Sequence, residues 1–141
     1  MKYHFKIHRD KDGLWAQCIE LPGCSTQADS HTKLLENMQE ALDLYLQEPD
    51  SSSLVIPLPK PSAKGKGVVA VPVNPPIAFA LLLRNARLKH QLTQKQAAQR
   101  LGMKNLYSYQ RLESARTANP ALNTIAKIKS IFPELRLDQV V

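Results

Sequence analysis

The chain has 141 residues, 43% of them hydrophobic, and a formal net charge of +7, enough for one small domain or two very small ones. Its start, MKYHFKIHRD, is too charged for a signal peptide. The longest aliphatic run, Ile77–Leu83, is far below the ~18 residues that mark a membrane span, so a cytoplasmic protein with no membrane partner is expected. The charge is divided: residues 1–60 carry six Lys/Arg against nine Asp/Glu, and residues 61–141 carry thirteen against three. A basic half suits a polyanion, and an acidic half suits a basic partner.

In chain order, KYHFKIH alternates Tyr3, Phe5 and Ile7 with Lys2, His4, Lys6 and His8, the period of a half-buried strand whose histidines face solvent. DKDG is a turn, LWAQCIEL completes a hairpin, and CSTQA adds a short third strand. Cys18 and Cys24 lack metal-binding or redox spacing and read as reduced core or loop thiols. From Ser30, a natural N-cap, a helix carries Leu35, Met38, Leu42 and Tyr45, joined by Leu34, Ala41 and Leu46, on one apolar face. Pro49 ends it, and Leu54–Leu58 returns as a fourth strand, giving β-β-β-α-β.

Seven of the ten prolines fall between residues 49 and 76, beside DSSS and SAKGKG. This linker composition coincides with the change of charge and places a boundary near residues 60–67. The expected domains are residues 1–60, a linker with a short strand at 61–75, and a helical domain at 76–141. Val68–Val73 and Leu135–Val141 read as short apolar strands flanking the helical bundle, each an edge that invites pairing with a second copy. Helices are expected at about 76–90, 93–101, 105–113 and 120–131.

The stretch LTQKQAAQRLGMKNLYSYQRLE, Leu92–Glu113, has the spacings of a helix-turn-helix. Thr93 caps, Ala97 and Ala98 allow close crossing, Gly102 turns, and Leu106, Tyr109 and Leu112 anchor the second helix. A recognition helix presents its N-terminal residues to base edges in the major groove. Asn105, Tyr107, Ser108 and Arg111 are therefore expected to face the groove, with Gln94, Lys104 and Arg116 on the backbone. LTQKQAAQRLG, YQRLES and NPALNTIAKI together resemble the Cro/lambda-repressor-like helix-turn-helix family over about residues 78–132.

No nuclease-type carboxylate cluster and no nucleophile–base arrangement stands in the acidic half, so no enzyme activity, metal or cofactor is expected. The string DGLWAQCIELPGCSTQADS, followed by LLENMQEALDLYL and IPLP, resembles the HicB antitoxin family over about residues 1–60. The resemblance implies that the β-β-β-α-β half is a partial ribonuclease-H-like module; with the all-α helix-turn-helix bundle and its flanking dimerisation strands, the expected fold is α+β. It also implies a HicA-type toxin, a small basic mRNA-cleaving protein, as the partner to be neutralised, and autoregulation through double-stranded operator DNA; the small size of each half points to a dimer or higher assembly. Toxin contacts are expected at Glu20, at Asp29, and along the edge Cys24, Ser25, Thr26 and Gln27. The rival is a ligand-responsive transcriptional regulator, which a deep apolar pocket in the front module would favour.

Overall fold

The structure, a computed structural model, describes residues 1–47 and 52–141; the helix end expected at Pro49 lies outside the described residues. The chain divides into two compact units: Met1–Leu46 with Pro57–Val73, and Gln47–Ile56 with Asn74–Val141.

The first unit is a four-stranded antiparallel sheet with one helix. Its strands are β1 (Lys2–Asp10), β2 (Gly13–Cys18), β3 (Ser25–Ala28) and β4 (Val68–Pro72), in the order β3-β2-β1-β4, with α1 (His31–Leu46) between β3 and β4 in sequence. The period of β1 puts Tyr3 and Phe5, both fully buried, on the face that shares a core with Leu14, Ala16, Cys18 and Val71. From α1 the core takes Leu34, Met38, Leu42 and Leu46, a stripe at four-residue spacing. Leu35, expected at its centre, is exposed. Ser30 caps α1 by accepting from the Lys33 amide at 3.2 Å. The helix also sends one amide to each rim of the sheet: Asn37 Nδ2 donates to the Gln27 carbonyl at 2.9 Å and Gln39 Nε2 to the Pro72 carbonyl at 3.0 Å.

The last strand of the expected order is a different segment. Val68–Pro72 pairs with β1, Phe5 opposite Val69 and Tyr3 opposite Val71, instead of flanking the helices. Leu54–Leu58 forms no strand. Pro57 and Pro59 bring no N–H to a ladder, whereas Val68–Val71 is β-branched apart from Ala70 and suits a pleated edge. Gly67, the residue before β4, has φ +75°, and a Cβ there would stand 3.1 Å from the Ile7 carbonyl; that carries both a backbone and a steric requirement for glycine. The histidines of β1 also depart from expectation. His4 is buried, and His8 stacks on Trp15 with ring centroids 4.1 Å apart.

The second unit contains α2 (Pro75–Lys89), α3 (Gln94–Arg100), α4 (Leu106–Glu113) and α5 (Leu122–Ile131), followed by a 3₁₀ turn at Leu137–Gln139. Prolines at its first positions open α2, where no intrahelical donor is needed. Every residue from Ile77 to Arg87 is buried, so α2 is the most deeply buried helix of the unit, and α4 packs against both it and α3. Asn85 holds the incoming chain here, accepting from the Ile56 amide at 3.3 Å and donating to its carbonyl at 2.8 Å. The tail is not a strand. Leu135 turns into the core at 3% exposure, Lys129 Nζ donates to the Pro133 and Leu135 carbonyls, and Arg136 pairs with Asp138 at 2.8 Å. The carbonyls a strand would offer are engaged within the turn, so of the two expected flanking strands the one at Leu135–Val141 is absent, and the one at Val68–Pro72 forms but belongs to the sheet of the first unit.

Candidate nucleic-acid interface and partner face

Two short helices joined by a tight turn carry the residues expected to meet DNA. Thr93 and Gln96 form a reciprocal capping box at the start of α3. At its end Gly102, at φ +70°, donates to the Gln99 carbonyl while Met103 donates to that of Ala98. These paired bonds close the helix and set the direction of the next. Ala97 and Ala98 are buried and small, and Tyr109 and Leu112 anchor α4. Beneath them, Arg87 of α2 grips Glu113 through Nε at 2.7 Å and Nη2 at 3.0 Å, and donates through Nη1 to the Leu92 carbonyl at 2.9 Å. Burial and the Glu113 charge push the adjacent Tyr109 hydroxyl far above its usual range.

Outward from this core stand Lys104, Tyr107 and Arg111, all exposed, with Arg116 exposed beyond the helix. The Arg111 guanidinium lies 5.8 Å from the Tyr107 ring centroid, a cation–π distance. Asn105 and Ser108 are exposed but engaged with each other. The Asn105 side-chain oxygen caps α4 by accepting the Ser108 amide at 2.9 Å, and it also accepts the Ser108 hydroxyl at 3.3 Å. Gln94 is half-buried, donating to Glu113 at 3.4 Å and accepting from Gln110 at 3.2 Å. Leu106, expected to anchor the helix, is 40% exposed.

In the first unit the residues expected on the partner face separate into two groups. Ser25, Gln27 and Asp29 are exposed and Thr26 is half-buried. Glu20 and Cys24 are interior. The Glu20 carboxylate accepts from the His4 amide at 2.9 Å, pairs with His4 Nδ1 at 2.6 Å and accepts from the Lys60 amide at 3.1 Å. Burial alone would raise its pKa; these bonds outweigh burial and hold the carboxyl below its ordinary value. Its position after a strand suggests exposure, and only the fold of residues 57–60 over that face reveals otherwise. Cys18 and Cys24 both remain thiols, with the Cys18 amide donating to the Cys24 carbonyl at 2.8 Å.

Near the exposed group lies a polar hollow of about 570 Å³, lined by Asp10, Asp12, Asp29, Trp15, Lys33 and Asn37 among others. Among the described residues no group of three or more His, Cys, Asp or Glu is arranged to hold a metal ion. No helix among them is long and apolar enough to cross a membrane.

No protein-family model matches the chain. It is 44% identical over 48 residues to a UPF0150 protein of Archaeoglobus fulgidus, a match that covers 33% of the chain and 70% of that protein. It is 29% identical over 94 residues to the proteins named Antitoxin HicB of Escherichia coli K12 and O157:H7, covering 64% of the chain and 64% of each. The chain thus spans just under two thirds of the length of those antitoxins. A match of that size is too long to lie within either structural unit alone.

Proposed function

We propose, on the premise that the chain belongs to the UPF0150 family, that it is a HicB-type antitoxin: a non-enzymatic cytoplasmic protein that neutralises a small basic HicA-type ribonuclease and represses its own operon. The likeness to two proteins named Antitoxin HicB carries this reading. The division of charge along the chain supports it, because an acidic module complements a protein that must present basic surface to RNA.

In this reading α3 and α4 are a helix-turn-helix. Arg111 reads a base, steadied by Tyr107, while Lys104, Arg116 and Gln94 meet the backbone and Asn105 and Ser108 shape the entry of α4. The toxin meets the side chains of Ser25, Thr26, Gln27 and Asp29, with Glu20 and Cys24 supporting that edge from within. A second copy completes the operator-binding unit, seated on the apolar groove of about 320 Å³ that includes Phe79, Ile125, Leu137 and Val140. The ligand-responsive alternative is not favoured, since the hollow of the first unit is lined chiefly by polar side chains.

Co-expression of the full chain with the small basic protein encoded beside it should rescue growth, and the purified chain should shift the promoter DNA upstream of the pair. Lys104→Ala should weaken binding to all sequences and flatten the salt slope by about one, whereas Arg111→Ala should cost about 1–3 kcal/mol and relax base preference. Growth arrest that persists despite soluble chain would sink the antitoxin reading; an unshifted promoter would sink repression.

A further inference from the structure

The first turn of α4 offers an unusual surface for a helix that reads bases. Its polar side chains are turned toward one another: the Asn105 carboxamide oxygen receives both the amide and the hydroxyl of Ser108. Between them stand two side chains with large apolar surface, Leu106 at 40% exposure and Tyr107 at 63%. A single exposed leucine on a protein surface is ordinary. This one occupies the first residue of α4, the end of a recognition helix that approaches base edges most closely.

The helical geometry joins the Tyr107 ring of this pair to a charge. Arg111 follows Tyr107 by four residues, on the same outward row, and its guanidinium is held over the Tyr107 ring. The outward row of α4 therefore carries an aromatic ring and a guanidinium, with Leu106 about 100° round the axis from the ring, at the first residue of the helix. In the major groove thymine displays a 5-methyl group that no other unmodified base carries, and guanine displays the O6/N7 pair that suits a guanidinium. An apolar side chain placed there gains from contact with the methyl and gains nothing from a cytosine edge.

We propose that Leu106, flanked by the Tyr107 ring, is a specificity-determining residue that reads the 5-methyl group of thymine, next to a guanine addressed by Arg111. This rests on the DNA-binding reading above. It assigns sequence preference to a residue whose chemistry carries no hydrogen bond.

The test uses the full chain and duplex DNA selected by it from a random pool. Each thymine of the selected duplex is replaced in turn by deoxyuridine, which removes one methyl and leaves base pairing intact. One or two positions should each lose about fourfold in affinity, the worth of one buried methyl group. For Leu106→Ala that loss should vanish, with parent and deoxyuridine duplexes bound equally, while Leu106→Met should retain it. Circular dichroism should show both variants folded, since the side chain is not part of the core. Selection that succeeds with no methyl-sensitive position overturns the assignment and leaves DNA binding standing. So does a Leu106→Ala chain that binds more weakly but keeps the same deoxyuridine penalty, or one that loses its self-association and not its methyl response. Failure of any sequence to enrich overturns both readings.

Discussion

Glu113→Ala should be among the most damaging single substitutions in the helical unit, and the structure sets its size. The side chains of Arg87 and Glu113 are 6% and 1% exposed, and two of the three hydrogen bonds made by Arg87 end on that carboxylate. Without it, a buried guanidinium keeps one backbone carbonyl and no counter-charge. Breaking a buried pair from one side costs about 3–5 kcal/mol, whereas replacing both members by apolar side chains of similar volume is often neutral. Against a total of about 5–15 kcal/mol for a small domain, the single substitution should leave the unit close to its unfolding threshold. Arg87→Met with Glu113→Leu should recover most of the loss. Urea unfolding followed by far-UV circular dichroism gives the magnitude, with hydrogen exchange at the α2 amides as local reporter because Trp15 lies in the other unit. A loss below about 1 kcal/mol for Glu113→Ala would refute the argument from burial. A double variant as unstable as the single would show that packing, not an unpaired charge, had been lost.

Two further outcomes follow from the sheet unit. Glu20 is held below its ordinary value of 4.5, so its contribution is complete above the unfolded carboxyl range and is lost as pH falls through the lower, folded value. Thermal melts across that acid range should show Glu20→Gln less acid-sensitive than the parent chain, and parallel acid limbs would contradict the pairing with His4 and Lys60. A fragment ending at Lys60 should lack dispersed amide resonances that one ending at Val73 shows, because only the longer piece retains β4; equal dispersion would remove β4 from the folding unit.

Element type and position were largely legible, because the signals are local. Alternation marks β1, Thr93 and Gln96 bracket the start of α3, and Gly102 marks its end. The pairing of strands was not local. Of two apolar segments, Leu54–Leu58 and Val68–Val73, the second takes the edge of β1; Pro57 interrupts the first, whereas Pro72 comes only at the last position of β4. Exposure on α4 was readable in principle. At about 100° per residue, Leu106 and Leu112 lie about 120° apart around the axis, so a face centred on Tyr109, Leu112 and Glu113 leaves Leu106 at its margin. Glu20 could not be placed from sequence, because its burial depends on Lys60, forty residues away.

The two side-chain amides that α1 sends to the sheet have a consequence for the molecule before it meets any partner. The outer strands of a sheet carry backbone groups able to template another chain, and sheets extend edge to edge into aggregates by that route. Here Asn37 occupies an outward carbonyl of β3 and Gln39 one of β4, while Pro72 withholds a donor from the same rim. Two copies of the chain therefore meet with both sheet margins partly stoppered. The exposed side chains of Ser25, Gln27 and Asp29 stay accessible beside the occupied carbonyl, and the growth of a common sheet between copies is disfavoured from either side by the same helix.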